Sequence, residues 1–100
     1  MKINIESIHF DAYKKLLQFI NEKCQKLTHF FDGIVNIEVI LKLQKTKIKE
    51  DGNKIVEIKV FVPSKTLFAE EQSKSFEEAT DICVDSLKKQ IIKYKEKIRS

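Results

Sequence analysis

The sequence predicts an α+β fold, a four-stranded sheet with two helices packed on one face, in the order β-α-β-β-β-α. Two observations carry this. The stretches from Tyr13 to Phe31 and from Phe76 to Ile98 each repeat apolar residues at helical spacing, one stripe per helix. The segments before and between them alternate apolar and polar residues with the period of a strand. Two one-sided helices need a single sheet face to cover, and the economical arrangement is a two-layer sandwich.

The elements follow in order. Lys2–Ser7 puts Ile3 and Ile5 on one side and Lys2, Asn4 and Glu6 on the other, a short first strand. Asp11 is placed to cap the helix that follows. Tyr13, Leu16, Leu17, Ile20, Cys24, Leu27 and Phe31 form its apolar stripe. Asp32-Gly33 stops it, with Gly33 expected in the left-handed position after the last turn. This helix is a crossover, so the first two strands are expected to be parallel with a right-handed connection.

Ile34–Lys47 reads as the second strand, with Val35, Ile37, Val39, Leu41 and Leu43 on the core face. Asp51-Gly52 is a strong hairpin signal. With these two as the loop, Leu43 is expected opposite Val60 and Leu41 opposite Val62. Pro63 ends the third strand. Lys65–Glu71 reads as a fourth, with Leu67 and Ala69 inward. Ser75 and Glu78 form a capping box for the last helix. Its core face is Phe76, Thr80, Cys83, Val84, Leu87, Ile91, Tyr94 and Ile98. The outer sheet face, with Glu38, Lys42, Gln44, Glu57 and Lys59 around Ile40, suits solvent.

Composition bounds the function. One hundred residues, 42% of them hydrophobic, make one domain, residues 1–100, with a modest core. No stretch reaches the roughly 20 apolar residues of a membrane span, and Met1–Glu6 has no apolar signal region, so a cytoplasmic, non-membrane protein is expected. Cys24 and Cys83 fall on the apolar helix faces and read as buried hydrophobes rather than as a zinc or redox pair. His9 and His29 have no nucleophile within reach of their expected positions, and Asp81 and Asp85 read as solvated charges. Nothing has the spacing of a Walker loop, a dinucleotide fingerprint or a metalloprotease helix. No enzyme activity, cofactor, metal or small-molecule substrate is expected.

What stands out is the distribution of charge. Over Leu87–Ser100, six cations (Lys88, Lys89, Lys93, Lys95, Lys97 and Arg99) face the single acid Glu96, a local charge of +5 in a chain whose total is +4. At about 100° per residue, Lys89, Lys93 and Lys97 form one stripe beside the core face, and Lys88, Lys95 and Arg99 a second on the other flank. On the first helix Lys15, Lys23 and Lys26 alternate with Phe19 and Phe30. Cations beside aromatic rings suit RNA, charge for phosphate and rings for exposed bases. The bland alternative is a solvated helix end whose cations complement the macrodipole.

Three segments resemble the ribosome hibernation promoting factor family, also called ribosome-associated inhibitor A or sigma-54 modulation proteins. They are Phe19-Ile-Asn-Glu-Lys-Cys-Gln-Lys-Leu-Thr-His-Phe-Phe-Asp32, then Leu67-Phe-Ala-Glu-Glu71 after Pro63, then Phe76-Glu-Glu-Ala-Thr-Asp81 with Asp85-Ser-Leu-Lys-Lys-Gln-Ile-Ile-Lys-Tyr-Lys-Glu-Lys-Ile98. The resemblance spans the chain and keeps the element order. It implies a stress or stationary-phase factor that binds the small ribosomal subunit in the channel of mRNA and tRNA and stops translation by occlusion. It also implies that Lys23, Lys26, Lys89, Lys93, Lys95 and Lys97 contact ribosomal RNA. Lys88 and Arg99 join them from the charge argument alone. Ser75 stands where the family often has Asp, and Ser86 where many members have Lys. Ending at Ser100, the chain resembles the short form, and the free protein is expected to be monomeric. The rivals are a double-stranded-RNA-binding module and a protein-interaction regulator that uses Ile40 and Phe61 on the open sheet face.

Overall fold

The structure is a computed structural model that describes residues 1–44 and 52–99. The expected order is present: β1 (Lys2–Ser7), α1 (Lys14–Gln25), a 3-10 turn (Lys26–His29), β2 (Asn36–Leu43), β3 (Lys54–Val62), β4 (Lys65–Ser73) and α2 (Phe76–Arg99). The four strands lie side by side in chain order. β1 pairs parallel with β2, as a helical crossover requires, and the other pairs are antiparallel.

The core lies between the helices and one sheet face. Leu16, Ile20, Cys24 and Leu27 meet Leu87 and Ile91 of α2, and the inward residues Ile37, Val39, Leu41, Val56, Ile58 and Val60 close it from below. Thr80 is buried, and its hydroxyl donates to Phe76 O at 2.7 Å, which removes the cost of an unpaired buried group. Among the described residues no buried side-chain polar atom lacks a partner. Ser75 caps α2 as expected, its Oγ accepting from Glu78 N–H at 3.0 Å.

α2 is also fastened to the sheet by polar contacts. Tyr94 donates its hydroxyl hydrogen to Pro63 O at 2.8 Å, in the turn that joins β3 and β4. Gln90 Nε2 donates to Phe68 O at 2.9 Å, satisfying a carbonyl on an edge strand. At the other end the Tyr13 hydroxyl donates to Glu77 at 2.6 Å, linking the starts of the two helices.

Several expectations are corrected. The hairpin register differs: Leu43 faces Lys54 and Leu41 faces Val56, six residues from the positions expected of a two-residue Asp51-Gly52 loop. The connection runs from Gln44 to Asn53, closed by Gln44 N–H donating to Asn53 O at 2.8 Å. Asp51 and residues 45–47 of the expected strand lie outside the described residues. The reason is apolar pairing. The expected register carries Ile37 and Val39 past Pro63, opposite Thr66 and Ser64. The observed one gives them Val60 and Ile58. A shift by an even number preserves which face is inward, so the same residues of β2 face the core in either register.

Gly33 is not left-handed, since the only glycine with positive φ among the described residues is Gly52. A Cβ at Gly33 would collide with the Phe31 ring, so close approach explains the glycine. Asp11 is not the cap of α1. Tyr13 occupies that position, and its side chain makes no capping hydrogen bond. Tyr13, Val35, Leu43 and Ile98, all assigned to apolar stripes, are exposed at the ends of their elements.

Candidate nucleic-acid interface

α1 and α2 lie side by side on the sheet, and the crevice between them collects charge. A groove of about 730 Å³ is lined on the α1 side by Lys23, Lys26, Leu27, His29 and Phe30, and on the α2 side by Asp81, Ile82, Val84, Asp85 and Lys88. A second hollow of about 490 Å³ continues it toward the C-terminal end, where Lys95, Ile98 and Arg99 face His29, Phe30 and Phe31. Five of the eight candidate cations therefore line two adjoining hollows that share His29 and Phe30: Lys23, Lys26 and Lys88 the first, Lys95 and Arg99 the second.

Two of these cations rest on rings. Lys88 Nζ lies 5.0 Å from the centroid of Phe30, and Lys23 Nζ 5.4 Å from that of Phe19. Both are within cation–π range. Lys23 also pairs with Asp81 at 3.0 Å, from one helix to the other. Lys89 stands 3.9 Å from Asp85, one turn earlier on α2. Phe31 packs edge-on against Tyr94, with centroids 5.4 Å apart, which anchors the wall of the second hollow to the core.

The remaining three cations are placed differently. Lys89, Lys93 and Lys97 are exposed on α2 but line neither hollow. By helical advance, Lys93 and Lys97 lie beside Gln90, the residue that reaches β4. The two stripes of α2 thus address two directions, one the inter-helix crevice and the other the β4 side.

The reading of Asp81 as a simple solvated charge is corrected, because it bridges the groove to Lys23, whereas Asp85 is largely exposed as expected. His29 lies outside the cation set expected from the sequence, yet it lines both hollows. Beyond Gln25 the chain tightens into a 3-10 turn, so a projection at α-helical spacing misplaces side chains from Lys26 to His29.

The cysteines supply no competing chemistry. Burial pushes the Cys24 thiol up to about 12, helped by the neighbouring Cys83. Burial does the same to Cys83, also to about 12, with Glu71 and Glu70 adding to it. Cys83 Sγ donates weakly to Val56 O at 3.5 Å. Neither thiol is a ready nucleophile. Among the described residues no group of three His, Cys, Asp or Glu side chains could hold a metal ion, and no helix is long and apolar enough to cross a membrane.

Residues 3–99 match the family described as Sigma 54 modulation protein / S30EA ribosomal protein. A protein of Pseudomonas putida named ribosome hibernation promoting factor is 30% identical over 100 residues, all of this chain and 92% of its own length. An Escherichia coli protein of the same name is 26% identical over 99 residues, 99% of this chain and 98% of its own. A solved structure of a ribosomal subunit interface protein from Coxiella burnetii superposes with a TM-score of 0.82 at 27% identity, covering 96% of this chain and 99% of that one. With the family model matching residues 3–99, nearly the whole sequence, the chain belongs to the Sigma 54 modulation protein / S30EA ribosomal protein family.

Proposed function

We propose that this protein is a ribosome hibernation factor. Its single domain, residues 1–100, binds the small ribosomal subunit in the channel used by mRNA and tRNA. It inhibits translation under stress or in stationary phase by occupying that space. The observation that carries the reading is the crevice between α1 and α2, where Lys23, Lys26, Lys88, Lys95 and Arg99 converge beside Phe30. Lys89, Lys93 and Lys97 extend the positive surface along α2. The relatives named ribosome hibernation promoting factor and ribosomal subunit interface protein support the same partner.

The physics suits the role. Ribosomal RNA is a dense polyanion, and lysines that neutralise phosphates release counterions, so binding is strong and steeply salt-dependent. Occlusion needs a preformed body in place and no chemical step. The protein acts in the cytoplasm, where ribosomes work, and reaches its site as a monomer.

The test is co-sedimentation of the purified protein with isolated small subunits over a salt series, with tRNA as competitor. Saturable binding at one copy per subunit, displaced by tRNA, is the expected result. Lys89, Lys93 and Lys97 changed together to Glu should fold normally and lose binding. No binding at low salt, or binding indifferent to tRNA, overturns the occlusion reading.

A further inference from the structure

The inter-helix groove is built differently from the rest of the cationic surface. A site for phosphate alone needs cations and amides. This groove has an apolar lining of Leu27, Phe30, Ile82 and Val84 under its charged rim. Ile82 is 43% exposed and adds an accessible aliphatic side chain to that lining. The charge is also divided. Lys23 and Lys26 come from the α1 side, whereas Asp81 and Asp85 stand on the α2 side with Lys88. Asp81 and Asp85 repel a phosphate from the α2 side of the rim, while Lys23 and Lys26 attract one on the α1 side. The apolar lining suits a base, and the α1 side of the rim suits its phosphate.

We infer that the groove is a base-binding subsite, in which one unstacked nucleobase of the bound RNA inserts between α1 and α2 and stacks on Phe30. This rests on the proposed RNA-binding role and names what one part of that surface recognises. In the free protein Lys88 covers the Phe30 ring. A phosphate arriving at the mouth draws the Lys88 ammonium to itself and uncovers the ring for the base. Base–aromatic stacking needs no particular sequence, since every base has a π-face. Recognition then comes from an RNA shape that offers a splayed-out base at the right distance from the backbone.

Two measurements on the complex with isolated small subunits test this. The first compares salt dependence for wild type, Phe30→Leu and Lys26→Ala. Stacking releases no counterions, so Phe30→Leu should weaken binding about five- to ten-fold with an unchanged salt slope. Lys26→Ala should reduce the slope by about one. The second is ultraviolet cross-linking of the wild-type complex, which needs no variant to fold and should leave a nucleotide adduct on Phe30. The inference is overturned if Phe30→Leu binds like wild type and no nucleotide joins Phe30, while Lys26→Ala still lowers the slope. In that case the surface binds RNA but the groove stays empty. An adduct between Phe30 and a ribosomal protein also overturns it, because the occupant is then a peptide. If wild type fails to bind at all, the proposed function falls and this inference with it.

Discussion

At the scale of single residues, the cationic surface is partly restrained by its own acids. Lys23 is held by Asp81 across the groove at 3.0 Å, and the two side chains are 31% and 52% exposed. An exposed pair of this kind is worth about 0.2–1 kcal/mol. A phosphate that recruits Lys23 must first replace the carboxylate, and Asp81 then repels it. Asp81→Asn keeps the shape and removes the charge. It should tighten small-subunit binding by about two- to five-fold, measured by co-sedimentation at low salt. Equal or weaker binding would mean that Lys23 does not reach the RNA. The pair was not legible in the sequence, because Lys23 and Asp81 are far apart in the chain and belong to different helices. What spacing did reveal was the flank of α2 that holds Lys88, Lys95 and Arg99. α2 is a regular helix of 24 residues, so angular position follows from number alone.

At the scale of elements, what the sequence predicted well is what local rules decide. Ser75 caps α2 through a hydrogen bond at 3.0 Å, while α1 begins without a side-chain cap although Asp11 stands close by. The difference can be measured by chemical denaturation. Ser75→Ala should lower stability by about 1 kcal/mol. Asp11→Ala should stay within about 0.5 kcal/mol of wild type, since its carboxylate caps nothing. Equal losses would mean that Asp11 caps α1. The β2–β3 register shows where local rules stop. Asp-Gly favours a tight turn, but the pairing is set by where Val56, Ile58 and Val60 find Leu41, Val39 and Ile37. That is a tertiary preference, and it outweighed a dipeptide signal. The 3-10 turn after Gln25 is a similar case: it changes the direction of His29 without altering the apolar period that predicts the helix.

At the scale of the whole molecule, the fold separates two surfaces. The helix layer carries the lysine crevice. The outer sheet face carries Glu6, Glu38, Glu57 and Glu70 around Ile40 and Phe61, with Lys42 paired to Glu57. The body measures 49 × 23 × 18 Å, its length set largely by α2, which spans about 36 Å. At physiological salt the Debye length is about 8 Å, so a charge on the sheet face is screened from RNA held at the helix face across much of that thickness. Net charge and charge placement can therefore be separated. Lys88→Gln with Lys95→Gln, and Lys2→Gln with Lys59→Gln, each lower the chain's charge of +4 by the same amount, the first pair on the helix layer and the second on the sheet. If binding followed net charge, the two double variants would behave alike. If the helix layer faces the RNA, the first should lose about ten-fold or more in affinity and about two units of salt slope. The second should change by less than about two-fold at physiological salt, and should differ more from wild type only as salt is lowered and the Debye length grows. Equal losses at physiological salt would mean that the sheet also meets the ribosome, and that the domain is enclosed by RNA rather than laid against it.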